Sequence, residues 1–349
     1  MTNLSRIDVI APNFKRRHSG VTSTVIRLVP LQAKQIGITS CGPNLPPEVP
    51  NALWSRLLTM PRAGPSGPRV WHARRNLEMI AGLALKYLLG KKLKLLFTSA
   101  AQRRHKPLTK WLIQQQDAVI ATSSKSAAYL NRKATVIHHG IDCHQFSPTD
   151  DKRALRDELG LPQGNLIGCF GRIRPQKGND LFVDAMLRVL PDHPNAHGLV
   201  MGRATTEHQV YCDDLKTRVR AAGMSGRIHF RDEVPIEKLA DHFRAIDLYI
   251  APQRWEGFGL TPLEAMASGV PVIATRVGVF EEVVKDGETG HLINIEDVDA
   301  MAKHTDALLA DPERMAAWGK AARIHAAAHF QLQHEADAII AIYRELLDS

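Results

Sequence analysis

Two glutamates, Glu256 and Glu264, stand eight residues apart in the stretch W-E-G-F-G-L-T-P-L-E-A-M-A-S-G, Trp255–Gly269. Thr261 suits a helix N-cap, Pro262 the first helical position and Glu264 the third, so a capping box accounts for Glu264. Glu256 precedes that cap in a glycine-rich turn and has no such local use. A carboxylate held there asks for a ligand. The backbone N–H groups of Gly259 and Leu260, at the positive end of the coming helix, suit a phosphate. A second stretch, G-R-I-R-P-Q-K-G at Gly171–Gly178, supplies charge of the opposite sign. Arg172 and Lys177 are two fixed cations of the kind that bind a diphosphate. Gly171 permits close backbone approach and Gly178 releases the chain into a helix. Taken alone, the same loop also fits a solvated turn with surface cations.

These residues must be presented by regular elements, and the chain alternates short apolar runs with helical patterns, as βα units on a parallel sheet require. In the second half the pattern predicts strands over 166–170, 198–201, 227–230, 248–251 and 270–274, with helices over 180–190, 207–222, 236–245 and 262–267. The first half repeats the theme with strands over 7–11, 70–72, 93–98, 118–121 and 134–137, and a helix from about Thr22. Residues 42–68 are turn-rich and weakly structured by pattern. Ser147–Asp151 is the predicted linker, followed by a helix ending at Gly160. The expected organisation is two doubly wound, Rossmann-like domains, 1–148 and 149–330, facing a central cleft. A terminal amphipathic helix, 331–349, ends the chain and, as is common for folds of this kind, is expected to cross back to the first. In such sheets ligands lie outside the carboxyl ends of the strands.

Length and composition agree with this. The chain has 349 residues, 44% hydrophobic and 23% charged, which excludes a disordered polymer and suits two soluble domains. The net charge of +9 conceals an asymmetry: residues 1–150 carry 22 Lys and Arg against 6 Asp and Glu, a net +16, and the remainder 23 against 30, a net −7. A domain that basic implies a polyanionic partner, whether nucleic acid, an anionic membrane surface or a phosphorylated substrate. Cys41, Cys143, Cys169 and Cys212 form no C-x-x-C pair, so reduced thiols in a cytosol are expected. The N-terminus carries no signal-peptide pattern and no run approaches the roughly 20 apolar residues of a membrane span. Leu77–Leu96 reads either as a core helix and buried strand or as a basic amphipathic element at a membrane interface.

The motif G-R-x-x-P-x-K-G, followed some eighty residues later by E-G-F-G-L-x-x-x-E-A-M-A-x-G-x-P-V-I-A, resembles the retaining glycosyltransferases of the GT-B fold. More narrowly it is similar to family 4, whose E-x7-E motif Glu256 and Glu264 match. The resemblance implies roles position by position. Arg172 and Lys177 bind the donor diphosphate and stabilise it as a leaving group. Glu256, with the Gly257, Phe258, Gly259 and Leu260 backbone, holds the transferred sugar's hydroxyls and the β-phosphate, and Glu264 accepts from the ribose. Arg231 and Val234 of F-R-D-E-V-P cradle the nucleobase. Gly202 is a donor-cleft glycine, and Gly20 the survivor of a glycine pair near the donor phosphates. No divalent metal is expected. The family's frequent histidine is replaced by Thr98 and Ser99 after L-L-F, leaving His105 and His72 as candidates.

The first domain narrows the resemblance further. A-P-N-F-K-R-R-H-S-G-V-T-S-T and L-F-T-S-A-A-Q-R-R-H-K-P are similar to rhizobial lipopolysaccharide-core mannosyltransferases. That implies GDP-mannose as donor and the Kdo-containing inner core on lipid A as acceptor, at the inner face of the cytoplasmic membrane, with the protein cytoplasmic and peripherally bound. Acceptor-side candidates are Lys15, Arg16, Arg17, His72, Arg74, Arg75, Arg103, Arg104, His105 and Lys106. His138, His139 and His144 resemble a metal site but coincide with the family's P-N-G-V-D loop. Asp297 and Asp299 spell D-x-D yet sit at a helix start, which explains their acidity. Alternatives are a UDP-glucose, UDP-galactose or UDP-hexosamine donor, a catalytically silent glycan-binding protein, or a nucleic-acid binder, which leaves Glu256 unexplained.

Overall fold

The computed structural model describes residues 3–16 and 20–349 and divides the chain into two compact units. The first comprises Met1–Gly140 with Leu332–Ser349, the second Ile141–Gln331. The division therefore falls eight residues before the predicted domain boundary at 148/149. Ile141, Cys143 and Phe146 are buried in the second unit's core, and the Ile141 N–H donates to the Phe330 carbonyl (2.7 Å). Apolar side chains outweigh the turn-like look of Ser147–Pro148.

The first unit is a parallel sheet of seven strands, β1 (Val9–Pro12), β2 (Ile38–Cys41), β3 (Asn51–Ala52), β4 (Arg69–Ala73), β5 (Leu93–Ser99), β6 (Ala118–Ala121) and β7 (Thr135–Val136), in the order β3-β2-β1-β4-β5-β6-β7. Successive strand residues face opposite sides of a sheet. Val9, Ala11, Val70 and Leu96 enter one core with Val25 and Leu28 of the helix Gly20–Gln32. Ile10, Trp71, Leu95 and Phe97 enter the other with Met79 of Asn76–Tyr87 and Leu112 of Pro107–Gln114. Both faces are covered, as a parallel sheet requires. The last helix, Leu332–Asp348, buries Leu332, Ala336, Ile339, Ile340 and Tyr343, one helical stripe, in the first of these cores. Strand β2 escapes the sequence pattern because I-T-S-C is half polar. Residues 42–68 contain β3 and a one-turn helix, Arg56–Thr59, where the sequence suggested little structure.

The second unit has six parallel strands, β8 (Asn165–Phe170), β9 (Ala196–Met201), β10 (Ile228–Arg231), β11 (Leu248–Ala251), β12 (Val272–Thr275) and β13 (Gly290–Ile293), ordered β10-β9-β8-β11-β12-β13. Leu166, Phe170, Tyr249 and Val272 face one core and Ile167, Cys169, Ile250 and Ile273 the other. The chain runs outward from β8 through β9 to β10, then returns to β8's other side as β11. The topological switch point therefore lies between β8 and β11, where the loops after those strands leave in different directions and open a ligand crevice. In the first unit the equivalent point lies between β1 and β4. Among the described residues no helix is long and apolar enough to cross a membrane.

Candidate active site

The loops at the second unit's switch point are Gly171–Gly178, after β8, and Pro252–Leu260, after β11. Gly178 has φ +70°, and a Cβ there would lie 2.0 Å from the Pro252 carbonyl oxygen, so the two loops meet backbone to backbone at a position only glycine fits. The Arg254 N–H donates to the Gln176 carbonyl (3.0 Å), and Gln176 Nε2 donates to the Trp255 carbonyl (3.1 Å). Across this seam Lys177 Nζ donates to Glu256 Oε2 in an ion pair, each side chain 18% exposed. Glu256 Oε1 accepts from the Gly257 N–H (3.0 Å). Sequence reasoning gave these two residues separate ligand groups. The structure shows that they are also each other's partner, a preformed plus-minus pair that holds both head groups at the loop ends.

Arg254 was not among the sequence candidates, and it anchors this arrangement. Its Nη1 and Nη2 donate to Asp180 Oδ1 and Oδ2 (2.8 Å each), its Nε to Glu296 Oε1 (2.8 Å) and its Nη1 to the Pro175 carbonyl (2.6 Å). Tyr211 Oη donates to Asp180 Oδ1 (2.8 Å). Burial pushes the Asp180 carboxyl up, but the hydrogen bonds from Arg254 and Tyr211 outweigh it and hold the group below its usual range. Bidentate Arg–carboxylate pairing of this kind fixes geometry as well as charge. Nothing in the spacing of Arg254, Asp180 and Tyr211 along the chain signals that they meet. Arg172, by contrast, is exposed and makes no hydrogen bond or ion pair among the described residues.

The helix after the second loop begins at Thr261 with Leu260 as N-cap, so the capping box expected from Thr261 and Glu264 does not form. Gly259, at φ +89°, turns the chain early and Leu260 is already helical (φ −80°, ψ −24°). The Glu264 N–H bonds the Leu260 carbonyl (2.9 Å) and its carboxylate is half-buried beside Tyr249. Capping no longer accounts for Glu264. Phe258 is buried, and its carbonyl accepts from the Val279 N–H (3.1 Å). At the ends of β9 and β10, Gly202, Arg231 and Val234 line one cavity of about 590 Å³ with Phe230, Asp232 and Glu233. Gly202 abuts Gly171, and Arg231 Nη2 donates to the Gly160 carbonyl (2.5 Å).

In the first unit the acceptor-side candidates part company. His72 is fully buried, with Nδ1 bonded to Tyr343 Oη and Nε2 to Thr98 Oγ1 (2.6 Å each). Burial, then the nearby Arg74 charge, pushes its pKa well below the ordinary value, so it is a neutral core histidine and not a substrate contact. Arg75 is also a structural residue: its Nη1 donates to Asn13 Oδ1 and Glu78 Oε1 (2.8 Å each) and its Nη2 to Thr22 Oγ1 (3.0 Å), clamping the loop after β1. Arg74, Arg103, Arg104, His105 and Lys106 instead line a single cavity of about 590 Å³. Lys15 and Arg16 are exposed on the loop after β1, and Arg17 lies outside the described residues. Gly20 is exposed at the start of its helix, with open space where a Cβ would stand. His139 Nδ1 bonds Glu335 Oε1 (2.7 Å), Asp297 caps its helix through the Ala300 N–H (2.9 Å), and Asp299 pairs with Arg188. Among the described residues no three His, Cys, Asp or Glu side chains are placed to hold a metal ion.

The glycosyl transferases group 1 profile matches residues 151–325, which contain both loops of the switch point. Two curated proteins are 48% identical to the chain. The lipopolysaccharide core biosynthesis mannosyltransferase LpcC of Rhizobium leguminosarum bv. viciae aligns over 349 residues, 99% of each chain. LpsB of Rhizobium meliloti (strain 1021), with the same description, aligns over 353, covering 99% of this chain and 100% of the relative. The chain belongs to the glycosyl transferases group 1 family. Its fold is that of the GT-B enzymes: Anabaena Alr3699/HepE, solved in complex with UDP, superimposes with a TM-score of 0.84 at 18% identity, over 97% of this chain and 100% of that one. Within the family, the sequence similarity runs through the basic first unit as well as the profile-matched second.

Proposed function

We propose that the protein transfers α-mannose, with retention, from GDP-mannose to the Kdo-containing inner core of a lipopolysaccharide precursor, without a divalent metal. The observation that carries this reading is the 48% identity, over nearly the whole length, to two lipopolysaccharide-core mannosyltransferases. The second unit supports the donor half. Lys177 and Glu256 meet at the switch point, Arg172 is an unspent cation on the same loop, and the Gly202–Arg231–Val234 cavity has the size and lining to take a nucleoside. In this reading the diphosphate leaves toward Arg172 and Lys177, whose fixed charge replaces a metal ion. Glu256 and the Gly257–Leu260 backbone grip the sugar, with Glu264 on the ribose. The C1–O bond to the diphosphate breaks, and the acceptor hydroxyl attacks the anomeric carbon from the same face, as a tight ion pair permits, its proton passing to the departing diphosphate oxygen.

The first unit supports the acceptor half through its charge. It also supports attachment to the inner face of the cytoplasmic membrane: Leu77 and Ile80 on one helix, and Leu108 and Trp111 on the next, are exposed, and Asn76 Nδ2 ties the two helices through Thr109 Oγ1 (2.7 Å). Apolar side chains beside Lys106 and Lys110 suit an anionic lipid surface. Purified protein incubated with GDP-mannose, UDP-glucose, UDP-galactose or a UDP-hexosamine, and with Kdo-lipid A precursors, tests the reading by mass spectrometry of the products. A mass gain of one hexose from GDP-mannose alone is expected. Transfer from a UDP-sugar only would remove the mannose assignment, and turnover of no donor would favour a silent glycan-binding protein.

A further inference from the structure

The cavity at the carboxyl ends of β4 and β5 is lined by Arg74, Arg103, Arg104, His105 and Lys106, with the hydroxyls of Thr98, Ser99 and Thr109, and no acidic side chain lines it. Four of those residues carry full positive charge with no counter-charge in the wall, which makes the cavity a strong local sink for an anion. Arg74 differs from the others. It is only 8% exposed, and Nη1 bonds the His72 carbonyl at 3.4 Å, while Nε and Nη2 are buried without any partner. Nε and Nη2 form one side-on edge of the guanidinium, the two parallel N–H donors that match a carboxylate or phosphate bidentately. The nearby acid cannot serve them: the Glu78 carboxylate is spent on the Arg74 backbone N–H and on Arg75. Tyr343 Oη, which bonds His72 Nδ1, is an acceptor beside the guanidinium, and it accepts no well-formed hydrogen bond from Nε or Nη2. His105 adds a second orphan, its buried Nε2. Buried polar groups without partners are rare in well-solvated proteins, and two residues with such groups in the wall of one basic cavity suit a ligand that supplies the missing partners.

We propose that this cavity is an anion subsite in which Arg74 binds a carboxylate or phosphate group of the acceptor side-on, with Arg103, Arg104 and Lys106 around it. The inference rests on the reading of the first unit as the acceptor-binding unit, and it names which of that unit's many cations recognise the acceptor. Its test needs no donor. Calorimetric titration of the full-length protein with free Kdo, and separately with inorganic phosphate, should show saturable binding of at least one. The ligand that binds identifies the group as carboxylate or phosphate. Arg74→Lys keeps the charge but loses the fork, and is expected to weaken that binding at least tenfold. Arg103→Ser/Arg104→Ser, at exposed positions, is expected to weaken it severalfold and keeps the test decisive if the Arg74 variant does not fold. Equal binding by wild type and folded Arg74→Lys, equal binding by the Arg103/Arg104 variant, or no saturable binding of either probe by wild type would each overturn the subsite. Mannosyl transfer is scored separately: loss of the GDP-mannose assignment with anion binding intact would refute the donor reading and leave this one standing.

Discussion

At the scale of single residues the central observation is that Lys177 and Glu256 are both ligand candidates and partners of each other. With each side chain only 18% exposed, the two charges are largely desolvated and each offsets that cost for the other, and the pair stops either head group from collapsing onto another neighbour before substrate arrives. Removing one partner releases the other, so the pair acts as a unit and its deletions should not multiply. Glu256→Gln is expected to lower turnover about 10²-fold or more with an unchanged fold, by the usual weight of one fixed polar contact to a reacting group. The double variant Glu256→Gln/Lys177→Met should then be no slower than the worse single one. Steady-state kinetics on all three variants checks this, and multiplicative losses would show that the two residues act independently. Near-normal transfer by Glu256→Gln would remove Glu256 from the site.

At the scale of elements, the short loop Glu256–Leu260 is decided by one torsion. Gly259 sits at φ +89°, and a Cβ there would stand 2.3 Å from the Phe280 ring and 2.9 Å from Glu256 Cγ. Gly259→Ala therefore meets backbone strain and a clash together. It should destabilise the second unit by about 2–4 kcal/mol and lower its melting temperature by several degrees. Gly20→Ala is the contrasting case. Its surroundings are open and its backbone is unstrained, so stability should change by no more than about 0.5 kcal/mol. Differential scanning calorimetry separates the two. A fall in turnover by Gly20→Ala at unchanged stability would point to a donor-phosphate contact, and equal melting of Gly259→Ala and wild type would contradict the steric reading.

At the scale of the whole molecule the charge asymmetry survives the redrawn boundary. The first unit carries 23 Lys and Arg against 8 Asp and Glu, a net +15, and the second 22 against 28, a net −6. The terminal helix brings four acids to the basic unit without changing its character. Six histidines, His72, His105, His197, His229, His304 and His325, share another property: burial, the largest cause in each case, pushes their pKa below the ordinary 6.5. A base whose pKa is lower in the folded state is protonated more readily when unfolded. Its contribution is thus complete above pH 6.5 and is lost as pH falls from there toward the folded values. Melting temperature should decline on acidification from about pH 7.5 to 5.5. Asp180, lowered from 3.8, adds its own loss only in stronger acid. A melting temperature that holds or rises across that range would contradict the burial of these rings in the folded state.

What was legible in the sequence was whatever a short segment decides for itself. Short apolar runs set most strands of both sheets, all but β2, β3 and β13, because a strand buried on both faces is apolar along its length whatever its neighbours in space. The two motif loops could be read because their glycines and charges lie within a few residues of a strand end. Where local reading failed, a longer-range interaction had won: Gly259 packed on Phe280 advanced the helix start past the expected cap, and Ile141 and Phe146 moved the unit boundary by joining the second core. The strand order placed Lys177 against Glu256, 79 positions away, and no spacing rule contains that order. Arg74 and Arg75 show the division most plainly. As neighbours of the same type and charge they are indistinguishable in the sequence, yet one is spent clamping Asn13, Glu78 and Thr22 while the other lines a basic cavity with two donors unsatisfied. Residue type determined that both are cations. Only the packing of the chain around each decided which one keeps its charge for a ligand.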